Sequence, residues 1–301
     1  MSNQLFPMKN ESWKRYYHKV LDKKSDNLEF DISTEWTLML SKYSPILYFW
    51  HKKGKKIKLR TFEGHKESFY FIDELIGEEI KKPYPTFEYS KNDKEIFKHS
   101  FNPKEYWQDW SPPPYQEHFS KKSKLNPSKD VIVVNNKYII ENYRRPYNYL
   151  SLDFLENFLN KFHQKYQIYY IRYRGHVNNH DSYSDHDLQP PLEYGDFQLI
   201  DNYESVVTNE DVMRDYDIGF NLAQMWMHSH AKHSVCAGGG GAVLASYFGK
   251  DVVIRIHPNW KQDNWGMWQT NSWLQMLGCE KIIGTQCDDE LIKICEDRWL
   301  D

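Results

Sequence analysis

Several absences narrow the reading of this chain. No apolar run approaches the ~20 residues that a membrane-spanning helix needs. The opening stretch Met1–Tyr17 is polar and charged, so it does not read as a secretion signal. Cysteine is scarce: the chain has 4, Cys236, Cys279, Cys287 and Cys295, and no two stand in C-x-x-C spacing. That pattern argues against a disulfide framework or a zinc site and favours reduced thiols, so a cytoplasmic location is expected. An excess of either charge is also missing. The net charge of −3 gives no reason to expect a nucleic-acid partner. The basic runs His51–Lys58 and Lys121–Lys129 read as solvated turns or linkers, because neither forms one face of a helix.

What the chain does have is core material and rings. Its 301 residues suffice for one large domain or two ordinary ones, and 40% hydrophobic against 27% charged argues against global disorder. Aromatic residues make up 16%, with 22 Tyr and 11 Trp. Such rings fill cores, and they also stack on sugars and bases, which fits a carbohydrate or nucleotide binder. The richness in Lys, Asn, Tyr and Ile is compatible with a viral or bacterial source.

Texture divides the chain at about residue 130. Residues 1–129 are expected to form a small, irregular N-terminal lobe. There Ile46–Trp50, Ile57–Phe62 and Ser68–Ile72 read as strands and Asp73–Ile80 as a short helix, followed by proline-rich loops to Lys129. Residues 130–301 alternate. Strands are expected at Val131–Val134, Ile168–Tyr173, Phe197–Ile200, Ser234–Ala237, Val252–Ile256 and Lys281–Ile283. Helices are expected at Tyr149–Phe162, with Ser151 as N-cap, and at Asn221–His230, Ala242–Phe248 and Asp288–Trp299. This rhythm predicts an α/β fold with a doubly wound, mainly parallel sheet, which binds ligands beyond the carboxyl ends of its strands.

One local signal stands out. Ser234–Ala237 is followed by Gly238, Gly239, Gly240 and Gly241, then by Ala242 and a helical run. Consecutive glycines cost conformational entropy, and they make sense where backbone turns sharply or lies against a ligand. The N–H groups that open the next helix suit a diphosphate. The run has neither the Lys-Ser/Thr ending of a P-loop nor the spaced glycines of dinucleotide folds. A plain strand–helix crossover is the competing explanation.

Other clusters carry weaker signals. Arg172 and Arg174 fall on one face near a strand end, where arginines pair with phosphate. The following His/Asn/Asp-rich stretch, His176 to Asp187, matches no compact metal-ligand spacing, so no metal is expected. Lys137, after Asn135-Asn136, and Arg144 are further cations for a diphosphate. Trp265 and Trp268, in the segment Trp260–Trp273, read as a hydrophobic plug or an aromatic lid. In the first lobe His65, with Asp73 and then Glu74 behind it, is the candidate base.

The succession Val131–Tyr138, Pro146–Leu155, Ile168–Arg174, Asp196–Ile200 and Ser234–Gly249 resembles the donor-binding half of GT-B glycosyltransferases. The likeness is to the divergent kind found in large DNA viruses and bacterial surface-glycan clusters, and it covers roughly 130–301. The resemblance implies two Rossmann-like lobes facing across a cleft, a nucleoside diphosphate sugar on the second and a glycan acceptor on the first. It implies that Gly239–Ala242 face the diphosphate, that Arg172 or Lys137 neutralises it, and that no metal cofactor takes part. A hexosyl- or pentosyltransferase is the expectation. The alternatives are a non-catalytic nucleotide- or glycan-binding module and a nucleotide-sugar epimerase or hydrolase.

Overall fold

Val131–Asn135 is buried at every position, as a central parallel strand must be when helices cover both its faces. In the computed structural model, which describes residues 26–32, 36–78, 110–138, 146, 149–172, 192–248, 250–256 and 273–300, this strand (β4) lies inside a six-stranded sheet. Its companions are β5 (Gln167–Ile171), β6 (Val206–Thr208), β7 (Ala231–Ala237), β8 (Asp251–Arg255) and β9 (Lys281–Thr285). The spatial order is β6-β5-β4-β7-β8-β9, and all pairings are parallel. This is the doubly wound order of the Rossmann fold, and its direction reverses between β4 and β7.

Alternation along β4 explains the two layers of cover. Ile132 and Val134 join one core with helix α3 (Leu152–Phe162) and helix α8 (Asp288–Trp299). Val131 and Val133 face the other way, onto helix α5 (Asn209–Tyr216) and helix α6 (Phe220–Ser229). Helix α3 starts where Ser151 accepts a bond from the Phe154 N–H, the N-cap read from the sequence.

The first lobe has its own parallel sheet: β1 (Asn27–Ile32), β2 (Lys56–Phe62) and β3 (Glu74–Glu78), in that order. Between β1 and β2 run a helical turn Trp36–Leu38, a π-helical stretch Met39–Tyr43 and helix α1 (Ser44–Lys52). Several expectations change here. Ile46–Trp50 is helical, with Pro45 in the first turn and Ile46, Leu47 and Trp50 buried on one face. Ser68–Ile72 holds no strand, since a 3₁₀ turn spans Glu63–Phe69, and the expected helix at 73–80 is β3. In the second lobe Phe197–Ile200 is helical, part of α4 (Asp196–Ile200), which opens after Gly195 at φ 85°. Helix α2 (Tyr115–Lys122) occupies part of the stretch read as loop.

One continuous apolar core joins the two sheets. It runs from Trp36, Met39, Leu40 and Leu47 through Tyr115 and Phe119 to Trp226, Val243, Tyr247 and Ile254. Side chains such as Met39, Leu40 and Leu47 are wholly enclosed, and each contributes roughly 1.5–3 kcal/mol by leaving water. The Tyr247 hydroxyl crosses between the lobes to the Leu40 carbonyl, 2.6 Å away. The lobes therefore meet through dry packing along this face.

Candidate functional site: the turn after β7

The reversal point of a doubly wound sheet leaves a crevice, because the chain departs from its two central strands toward opposite faces. Here those departures are Asn135-Asn136-Lys137 after β4 and Gly238–Gly241 after β7. The Gly238 N–H bonds the Arg255 carbonyl of β8 at 2.9 Å, which keeps the turn on the sheet. Gly239 then adopts φ 129°, a conformation that L side chains rarely adopt. Helix α7 (Gly240–Ala245) begins immediately, with the Val243 N–H bonded to the Gly239 carbonyl at 3.1 Å. The N–H groups of its first turn have no acceptor inside the helix.

Lys137 and the glycines meet. A Cβ on Gly239 would lie 3.3 Å from Lys137 Nζ, so the ammonium stands over the turn. Asn136 holds this cation's backbone. Its Oδ1 accepts from the Lys137 N–H at 2.9 Å and the Leu150 N–H at 2.8 Å, while its Nδ2 donates to the Tyr170 hydroxyl at 3.0 Å. Asn135 lies against the first turn of α7, where a Cβ on Gly241 would fall 2.5 Å from its Oδ1. Asn135 Nδ2 is 3.4 Å from Nε2 of His228, whose ring is enclosed. Burial pushes the His228 pKa down to about 3, so the ring is neutral at physiological pH.

Part of the glycine run serves packing. A Cβ on Gly240 would come within 2.9 Å of Trp36 Cδ1 and 3.2 Å of Thr37 Oγ1. Trp36 and Thr37, which the sequence reading did not single out, thus bring the first lobe against the glycine segment. The open cleft implied by the resemblance is closed at this point by direct contact. Ala242 is enclosed in the core, so only its N–H belongs to the turn.

Arg172 is placed differently from the expectation. Its Nε and Nη2 donate to Asp196 at 2.5 and 2.8 Å, and both side chains are buried. The Tyr170 hydroxyl donates to the same carboxylate at 2.5 Å, and Asn209 Oδ1 accepts from the Arg172 N–H at 3.0 Å. The guanidinium is committed to this carboxylate and ties the end of β5 to the start of α4. A phosphate would have to displace Asp196 to reach it. Arg174 lies outside the described residues.

Neither base candidate faces the turn through solvent. His65 is fully enclosed against Trp36 and Phe62, and among the described residues neither ring nitrogen has a hydrogen-bond partner. Burial holds its pKa down to about 3. A base must touch the hydroxyl it deprotonates, and this ring is sealed inside the joint between the lobes. Asp73 caps the other end of the small sheet, accepting from the Ile57 N–H at 3.1 Å, and Glu74 pairs with Lys58 at 3.3 Å beside it. Both belong to the edge away from the glycine turn.

A tyrosine group flanks Lys137 on the β5 side. Tyr138 and Tyr194 stack at 4.0 Å, and Tyr149 meets both edge-on. The sequence showed these rings only as part of its aromatic surplus. Arg144, His176–Asp187, Trp265 and Trp268 lie outside the described residues. Among the described residues no three His, Cys, Asp or Glu side chains gather as a metal site would require, and the four cysteines are free. No described helix is long and apolar enough to cross a membrane.

No family model matches the sequence, and no curated protein matches it. Among solved structures it is similar to the E. coli heptosyltransferase WaaC with ADP-2-deoxy-2-fluoro heptose, at 8% identity and a TM-score of 0.38, over 94% of this chain and 76% of that one. It is also similar to the E. coli ADP-heptose LPS heptosyltransferase II, at 10% identity and a TM-score of 0.30, over 92% of this chain and 73% of that one.

Proposed function

We propose that the chain is a glycosyltransferase of the GT-B type that moves a sugar from a nucleoside diphosphate sugar to a glycan hydroxyl. The observation that carries this reading is the placement of Lys137 Nζ over Gly239 at the sheet's reversal point. There the ammonium stands beside the backbone N–H groups that open α7, on a turn whose Gly239 bears no side chain. Such a site suits a diphosphate, whose charge grows as it leaves the sugar. Lys137 is the cation we assign to the diphosphate, with Gly239, Gly240 and Gly241 as its backbone donors and no metal in the reaction. The domain division at residues 129 and 130 separates an acceptor-side lobe from this donor lobe. A cytoplasmic location fits the free thiols.

A second reading, a nucleotide- or glycan-binding module without turnover, is favoured by one observation. The joint between the lobes is packed around Trp36, and both base candidates lie out of reach of the turn. Incubation with UDP-, GDP- and ADP-sugars and a glycan acceptor panel separates the two. Release of nucleoside diphosphate that depends on an acceptor supports the transferase. Thermal stabilisation by nucleotide without release supports the module, and neither response across the panel removes both. Conversion of donor without an acceptor would indicate an epimerase or hydrolase.

A further inference from the structure

A second concavity lies at the opposite edge of both sheets. It is an open hollow of about 340 Å³ between helix α1, the segment before β3 and helix α2. Phe71, in its wall, precedes β3, whose first residue Glu74 pairs with Lys58 near the start of β2. Ser123, at the end of α2, bonds His230 Nε2 at 2.9 Å, just before β7 starts. The cavity therefore sits at the amino-terminal edges of the strands, whereas the glycine turn sits at their carboxyl-terminal edges.

Its wall is aromatic and its rim is cationic. Tyr70 stacks on His118 at 3.5 Å, which holds both rings in the wall, and Tyr48 meets Phe71 edge-on at 5.0 Å. Tyr48 and His51 come from one face of α1, one helical turn apart. Glu117, Lys121 and Lys122 line the mouth from α2. Lys121 bonds Glu117 at 2.7 Å, and Lys122 has no carboxylate at ion-pair distance among the described residues.

Four partly exposed polar groups line this cavity. Among the described residues, neither the Tyr48 and Tyr70 hydroxyls nor the ring nitrogens of His51 and His118 make a hydrogen bond. Burial raises the pKa of both phenols, with Glu117 adding to the effect, so the hydroxyls remain neutral donors at physiological pH. Burial, then the charge of Lys122, lowers the pKa of His118 and favours its neutral ring. Neutral donors and acceptors around flat rings suit a ligand with an apolar C–H face and a ring of hydroxyls. The volume lies at the small end of ligand pockets, sized for one ring.

We propose that this cavity is a saccharide site that prefers a sugar ring bearing a carboxylate. The ring would lie against the aromatic wall, its hydroxyls would meet the tyrosine and histidine groups, and Lys122 would face the carboxylate. The site is separate from the diphosphate turn, and the proposal stands whether or not the chain transfers sugar.

Saturation-transfer difference NMR with methyl glucuronide and methyl glucoside on the intact protein tests it. Transfer to the glucuronide ring protons is expected. Lys122→Gln should weaken glucuronide about two- to fivefold, the loss of one solvent-exposed charged contact, and leave the glucoside unchanged. Tyr48→Phe, which removes one hydroxyl and keeps the ring, should weaken both. Saturating UDP should leave the signals intact. Absence of transfer to both sugars, equal transfer in both variants, or displacement by UDP would each overturn the proposal. The last would place the sugar at the glycine turn.

Discussion

Replacing Asp196 by Asn distinguishes a structural Arg172 from one reserved for phosphate. The carboxylate now accepts from Arg172 at 2.5 and 2.8 Å and from the Tyr170 hydroxyl at 2.5 Å, with both members of the ion pair buried. Neutralising one partner strands the other charge in a medium that solvates it poorly. Such a loss costs about 3–5 kcal/mol. For a chain of 301 residues that corresponds to a fall in Tm of about 5–8 °C. The double variant Arg172→Met/Asp196→Leu removes both charges and should recover most of the loss, since apolar replacements of a buried pair are often neutral or better. Thermal and urea unfolding of the parent and both variants measure this directly. If Asp196→Asn stays within about 1 kcal/mol of the parent while nucleotide affinity changes, Arg172 acts on ligand and the structural assignment fails.

Further tests concern the turn and the joint between the lobes. Gly241→Ala drives a methyl to 2.5 Å from Asn135 Oδ1 and should destabilise by about 1–3 kcal/mol, read as a lowered Tm. His65 has a folded pKa of about 3 against an ordinary 6.5, so folding favours its neutral form. Its neutral burial is tolerated above pH 6.5 and opposes folding as pH drops toward 3. Near pH 4.5 this costs roughly 2–3 kcal/mol, so His65→Leu should lose that much less stability between pH 7.5 and 4.5 in paired melts. An equal acid loss in both proteins would contradict the burial argument. Ser151→Ala removes the N-cap of α3 and should cost about 1 kcal/mol by urea unfolding.

The second lobe was more legible than the first, for a physical reason. Strands buried on both faces, such as the one opened by Val131–Val134, read as unbroken β-branched runs, and α3 carried both its apolar stripe and its Ser151 cap. The short run Ile46–Trp50 carried no period that separates strand from helix. Pro45 was the available sign of a helix start, and tertiary burial decided the outcome. Thr208 and Asp211 form a capping box that marks α5, a signature present in the sequence at its usual spacing. At the site, the glycine run and Lys137 were visible as separate features, and only the order of the strands brings them together. The partnership of Arg172 with Asp196, across 24 positions, left no local trace. Nor did the packing of Trp36 on Gly240, which gives part of the glycine run a structural purpose.

Lys137 and the glycine turn are the proposed seat of a diphosphate. Isothermal titration of UDP, GDP and ADP into the parent and Lys137→Gln tests it most directly, with melting curves to show that both are folded. At least one nucleotide should bind the parent. The variant should bind it roughly 10- to 100-fold more weakly, the loss of one charge-assisted contact, and with a shallower dependence on salt. Equal affinity in the two proteins, or no binding of any of the three nucleotides to the parent, would contradict the account.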